Sequence, residues 1–163
     1  MEINGLIITL PKEIKLLIGA FIIVLSIGFY TGLLFVSETS SANPKGIEQR
    51  YLGNEDDEEA EVMRFKKSDQ EMLTLVHNHI LSMSIIFFMV GGIVSITKLN
   101  KKLKLFLIVE PFVSVILTFG GLYLLWKGMF WMTYIVMISG ILMTLTFAIS
   151  TVIILIQLFQ RRK

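Results

Sequence analysis

The chain contains no cysteine, and that absence excludes several chemistries at once. Disulfides, iron–sulfur clusters and thiolate metal sites all require the thiol. Histidine is nearly as scarce: the 163 residues include two, His77 and His79. Charged residues make up 17% of the chain and fall in short clusters between long apolar runs. No serine nucleophile elbow, His-Glu-x-x-His zinc motif or nucleotide loop is present, so no enzymatic reaction is legible. The pI near 8.9 does not describe a nucleic-acid binder, because the basic clusters do not build a phosphate-binding face.

What is present is apolar surface. Hydrophobic residues make up 54% of the sequence and the mean hydropathy is +0.73, values that belong to a small polytopic membrane protein. The reading is all-α: one membrane domain over 1–163, with four transmembrane helices in a bundle. The spans are expected at about 16–36, 73–97, 105–126 and 130–157. Each is long enough, at 1.5 Å per residue, to cross a hydrocarbon core of roughly 30 Å. Lys12 and Lys15 precede the first run, and Ser40-Ser41-Ala42 resembles a small-x-small cleavage site. The run is too long for a signal-peptide core and Ala42 lies well past its end, so an uncleaved anchor is expected. Gly28-x-x-x-Gly32 within it is a pattern that admits close helix approach.

The segment 37–71 is polar and reads as an extracytoplasmic loop. Its acidic block, Glu55 to Glu61, favours a solvated chain; docking a basic partner or a divalent cation is the alternative. The spacing does not match a calcium loop. Ser68, followed by Glu71, forms a capping box that starts the second helix near Asp69, before the membrane.

Lysines 98, 101, 102 and 104, the basic C-terminus, and Lys12 with Lys15 fall on one side of a four-span topology. The positive-inside rule places that side, with both termini, in the cytoplasm. Tyr123, Trp126, Trp131 and Tyr134 gather at the opposite surface and are expected to form an interfacial belt.

Four polar residues within the spans are the candidate functional groups. His77 and His79 differ by about 200° on a regular helix, so they address different surroundings and do not easily chelate one metal. The His77 face continues through Leu81, Ser84, Phe88, Gly91 and Ser95, and its small and hydroxylated residues predict the bundle interior. The His79 face, through Met83, Ile86 and Val90, predicts lipid contact. His77, His79 and Ser84 are the candidate cofactor-binding residues, with His77 and His79 as metal ligands. Haem b or a quinone is the candidate ligand; a haem would need a second axial ligand from a partner or from a methionine such as Met129 or Met132. Glu110, followed by Pro111 in the third span, is a candidate proton or ion site near the other surface.

Several stretches carry a resemblance. Phe65 to Ser68, Glu71 through His77-Asn78-His79, Ser82 to Phe88 with Gly91, Glu110-Pro111-Phe112 and Ser139-Gly140 together resemble a group of uncharacterised bacterial four-span membrane proteins. A His-x-His motif at the outer start of the second helix is its most distinctive feature. The resemblance implies the topology and draws attention to both histidines, and implies no cofactor or reaction. Three functions follow from the residues. The first is a small subunit of a larger membrane assembly, with haem or quinone near His77. The second is a structural or assembly protein docking a partner through its acidic loop. The third is a dimeric small-solute or ion transporter using Glu110. The expected partners are membrane lipid and either further copies of the chain or other membrane subunits, and not nucleic acid.

Overall fold

A computed structural model describes residues 3–40, 43–55, 57 and 62–160. The helices are α1 (Lys12–Ser40), α2 (Pro44–Leu52), α3 (Asp69–Ser95), α4 (Lys101–Val115), α5 (Gly121–Trp126) and α6 (Met132–Phe159). A π-turn over Ile116–Gly120 joins α4 to α5, making one rod from Lys101 to Trp126. Four helical segments, Lys12–Thr39, Asp69–Ser95, Lys101–Trp126 and Met132–Phe159, are long and apolar enough to cross a membrane. The protein is an all-α polytopic membrane protein. Asp56, Glu58, Glu59 and Glu61 of the acidic block, and Ser41 and Ala42 of the small-x-small motif, lie outside the described residues.

The third and fourth spans form the centre. Half of the most apolar window of the third span is buried, and 39% of that of the fourth, against 11% for each of the first two. α3 packs chiefly on α4, whereas α1 packs on α6 and α2. Hydroxyls inside the spans donate to carbonyls one turn back: Ser26 to Ile22, Ser82 to Asn78, Thr144 to Gly140. Such bonds satisfy a hydroxyl in hydrocarbon without a second helix.

The end carrying both termini is tied by its own chain. A 3₁₀ turn over Leu6–Thr9 tucks under the bundle, with Ile7 fully buried. Gly5 and Ile7 donate backbone bonds to Thr97 and Ile96. Asn100 caps α4 through Leu103 N at 2.9 Å. Gln157 on α6 grips Lys98 from both sides, accepting from its N–H at 2.7 Å and donating to its carbonyl at 3.2 Å.

The other end differs from a plain polar loop. Where composition predicts a single loop over 37–71, the structure extends α1 to Ser40 and folds Pro44–Leu52 into α2. Asn43 caps that helix by accepting from Gly46 N at 2.7 Å, and Pro44 opens it where no N–H is needed. Ile47 and Tyr51 are buried against the bundle, and Thr133 donates to Glu48 at 2.9 Å. Gly53 adopts φ +85°; a Cβ there would lie 2.7 Å from Lys66 N. The segment 62–67 returns along this turn, held by Asn54 N to Arg64 O at 2.9 Å and Lys67 N to Tyr51 O at 3.2 Å.

The expected aromatic belt is divided. Trp131 and Tyr134 are exposed and suit the interface, but Trp126 is buried and donates its indole N–H to Lys67 O at 2.8 Å. It serves as a strut between the third span and the head of α3. Among the described residues nothing beyond the neighbouring helix backbone comes within 4 Å of a Cβ placed at Gly28 or Gly32, so that glycine pair makes no close helix contact there.

Candidate functional site

The capping box forms as the sequence predicts: Ser68 N donates to Glu71 Oε2 at 2.8 Å and Glu71 N to Ser68 Oγ at 3.3 Å. It fixes where α3 begins. The buried face of that helix runs through Met72, Phe87, Val90, Gly91 and Val94, with Val76, Ile80 and Met83 packed beside them.

Of the face expected from polarity only Gly91 is buried. His77, Leu81 and Phe88 are exposed, and Ser84 is half-buried. His79 retains exposed surface, but its ring lies against Phe119 of the π-turn, centroids 4.7 Å apart and planes tilted by 34°. The hydroxyl-rich stripe does not need the interior, because Ser82 and Ser95 are satisfied by their own helix. Large side chains that fill the contact with the third span claim the buried face instead.

The His79 ring is oriented by a second contact. Its Nδ1 lies 2.8 Å from the carbonyl of Leu75, one turn back. A carbonyl only accepts, so Nδ1 carries a hydrogen, and in the neutral imidazole the free lone pair is then on Nε2. Histidines that ligate a metal through Nε2 are commonly held this way. His79 thus combines a fixed tautomer, a ring braced by Phe119 and remaining exposed surface. His77 has the exposure without the bracing: among the described residues no hydrogen bond or ring contact holds it.

Other candidate ligands are not gathered around it. Among the described residues no group of three His, Asp or Glu side chains is close enough to hold a metal ion. Met132 turns its sulfur toward Gly121, 4.0 Å from the Cβ position there, and Met129 is exposed. Ser84 makes no hydrogen bond to either histidine. One chain therefore offers a single oriented imidazole.

Glu110 forms a separate feature in the half of the bundle nearer the termini, about 13 Å along the helix from Phe119. It is buried at 7% exposure; Ser114 Oγ donates to its Oε1, and Oε2 has no hydrogen-bond partner among the described residues. The nearest basic side chain in sequence, Lys104, is engaged elsewhere, with Ser95 O at 2.9 Å, Thr97 O at 2.7 Å and Asn4 Oδ1 at 2.8 Å. Two pins register α6 against the third span: Thr118 with Ser139 at 2.7 Å, and Lys98 with Gln157. Counting inward residue for residue brings Phe147 level with Glu110 from the first pin and Leu145 from the second, with buried Thr146 between them. The histidines and Glu110 do not share a site.

Sequence reasoning missed Phe119 as the platform for His79. A phenylalanine in an apolar span carries no signal of that role; only the rotation of α3 and the π-turn bring the two together.

Residues 41–163 match the family model Aq_1264_TM, a transmembrane helical domain. No curated protein and no solved structure matches the chain.

Proposed function

We propose, for a chain that belongs to this family of transmembrane helical domains, that it is a small subunit of a larger membrane assembly that presents His79 to a haem or quinone shared with a partner. The observation that supports this reading is the Nδ1 bond to Leu75 O, which leaves Nε2 able to coordinate iron or to accept a hydrogen bond from a quinol. One imidazole per chain requires the remaining ligands from outside, either from a second copy or from another subunit. His77 and Asn78, exposed within an apolar span, fit the same reading: polar groups at that depth are costly against lipid and favour a protein or ligand neighbour. The likeness to four-span proteins with a His-x-His motif belongs with this proposal, and so does a bacterial inner-membrane location with both termini in the cytoplasm, supported by the lysines at 98–104.

The test is an absorption spectrum of the protein gently purified together with its membrane partners, before and after addition of haemin, and binding of a quinone analogue to the same preparation. The expected result is a Soret band or analogue binding that is lost in His79→Ala and kept in His77→Ala. Absence of both signals in the wild-type protein defeats the reading.

A second reading, a dimeric carrier using Glu110, is favoured by the unpartnered Oε2. Its test is uptake of protons or small ions into proteoliposomes. It requires wild-type uptake that Glu110→Gln abolishes.

A further inference from the structure

The end of the bundle that carries α2 holds a cationic surface that the histidine reading does not use. Arg50, on the last turn of α2, places its guanidinium 4.9 Å from the centre of the Phe35 ring and 5.6 Å from that of Tyr51. Arg64 donates through Nη1 to the carbonyl of Thr39 at 2.6 Å, bonding to the C-terminal turn of α1. Together with Glu38, Thr39, Phe65 and Lys67, the two arginines line a concavity of about 390 Å³. Lys67 also belongs to a neighbouring concavity that runs down the head of α3 past Gln70 and Thr74.

Among the described residues that line the first concavity the charge balance is positive. Glu38 is the one carboxylate among the lining residues of the first concavity. Lys67 pairs with Glu71 at 3.9 Å, but neither arginine has a carboxylate within ion-pair distance among the described residues. Among the described residues both keep guanidinium N–H groups without an acceptor, and planar guanidinium forks suit phosphate oxygens.

Below this cluster the surface is apolar and bare. Every residue of α1 from Thr31 to Glu38 is exposed, although the same helix buries Gly19 and Ile22 nearer the termini. Phe29 still stacks on Phe147 of α6, centroids 4.0 Å apart; beyond that contact α1 is met by Arg50 of α2 at Phe35 and by Arg64 at Thr39. Phe35 is 60% exposed directly beneath Arg50, and Val62, Met63 and Phe65 are exposed beside Arg64. A cationic rim at the depth where α1 leaves the membrane, over bare apolar helix, is complementary to an amphiphile with an anionic head.

We propose that Arg50 and Arg64, with Lys67, bind the phosphate of an anionic phospholipid whose acyl chain lies along the exposed end of α1. A phosphodiester headgroup supplies acceptors beyond those that the described residues offer the guanidinium groups, and the acyl chain covers Phe35 and its neighbours. A free phosphate shares the head chemistry but leaves the apolar surface bare.

The experiment measures thermal unfolding of the full chain in neutral detergent with added short-chain phosphatidylglycerol, phosphatidylcholine of the same chain length, or inorganic phosphate. Native mass spectrometry of the same samples counts retained lipid. Phosphatidylglycerol is expected to stabilise and to remain bound, and the other two are not. The double variant Arg50→Gln/Arg64→Gln is expected to bind phosphatidylglycerol about thirtyfold more weakly, the effect of two surface cations. Lys101→Gln/Lys102→Gln, which removes the same charge from the opposite end, is expected to bind like the wild type. Equal stabilisation by phosphatidylcholine overturns the proposal, as does equal stabilisation by inorganic phosphate. Undiminished binding in the arginine variant overturns it as well. The comparison of headgroups on the wild-type protein decides the matter if the arginine variant does not fold.

Discussion

The imidazole of His79 rests on the ring of Phe119, with 4.7 Å between centroids, and this contact joins the head of α3 to the π-turn of the third span. A π-turn inserts an extra residue and re-aims the side chains that follow. Phe119 lies within that turn and next to Thr118, whose hydroxyl meets Ser139 at 2.7 Å. The platform under His79 is therefore tied to α6 as well as to α4.

Replacing Phe119 by leucine keeps apolar volume but removes the ring contact. The expected cost is about 1 kcal/mol of stability, within the range for an aromatic pair. A larger effect is expected on any ligand held by His79, because its imidazole loses its brace. Melting curves and haem or quinone-analogue titrations of Phe119→Leu, beside His77→Ala as a control, separate the two effects.

Gly53→Ala forces a side chain into a left-handed backbone position at φ +85° and against Lys66 N. A loss of about 1–3 kcal/mol is expected from the strain. Limited proteolysis should cut the segment after α2 faster than in the wild type while the four long helices remain protected. An unchanged cleavage rate would show that the turn does not need this conformation.

Burial pushes the Tyr51 phenol above its ordinary value of 10.0, with Arg50 pulling part of the way back. The folded state therefore prefers the neutral phenol. Its contribution is fully present below the unfolded value and fades as pH rises through the higher folded value. Alkaline titration above about pH 10 should loosen α2, and Tyr51→Phe should remove that part of the dependence. Tyrosinate absorbance followed together with proteolysis of the α2 region checks the sign.

The lack of native cysteine makes single-cysteine mapping of topology clean. Lys45→Cys, on α2, is expected to react with an impermeant maleimide on intact cells. Lys102→Cys, at the start of α4, is expected to react only after the cells are opened. Both lysines are exposed, so accessibility depends on sidedness rather than burial. The reverse pattern would invert the orientation.

Much of the helix architecture was legible from residues alone. The capping box of Ser68 and Glu71 marks the start of α3 because it satisfies orphan N–H groups locally, without help from the rest of the fold. The Asn43-Pro44 pair carries an equally local signal for α2. Its meaning was obscured by the polar, acidic context, since a turn and a helix start use the same residue types. Glu110 could be singled out as a carboxyl in an apolar run, and its bond to Ser114, one turn on, is local to α4; the isolation of Oε2 among the described residues depends on how the bundle packs around it.

The sequence by itself determined that four helices are long and apolar enough to cross a membrane, because an apolar run of sufficient length satisfies its backbone only as a helix in lipid. It also determined where α3 begins. Only the tertiary structure decided which face of α3 is buried, and thus that His79, not His77, is the braced histidine. The reason is physical. In hydrocarbon both faces of a helix are apolar, and hydroxyls such as those of Ser82 and Ser95 are satisfied by their own backbone, so polarity does not select the inner face. Shape does: Met72, Phe87, Val90 and Val94 fit the third span, and the histidines take the orientations that this fit leaves them.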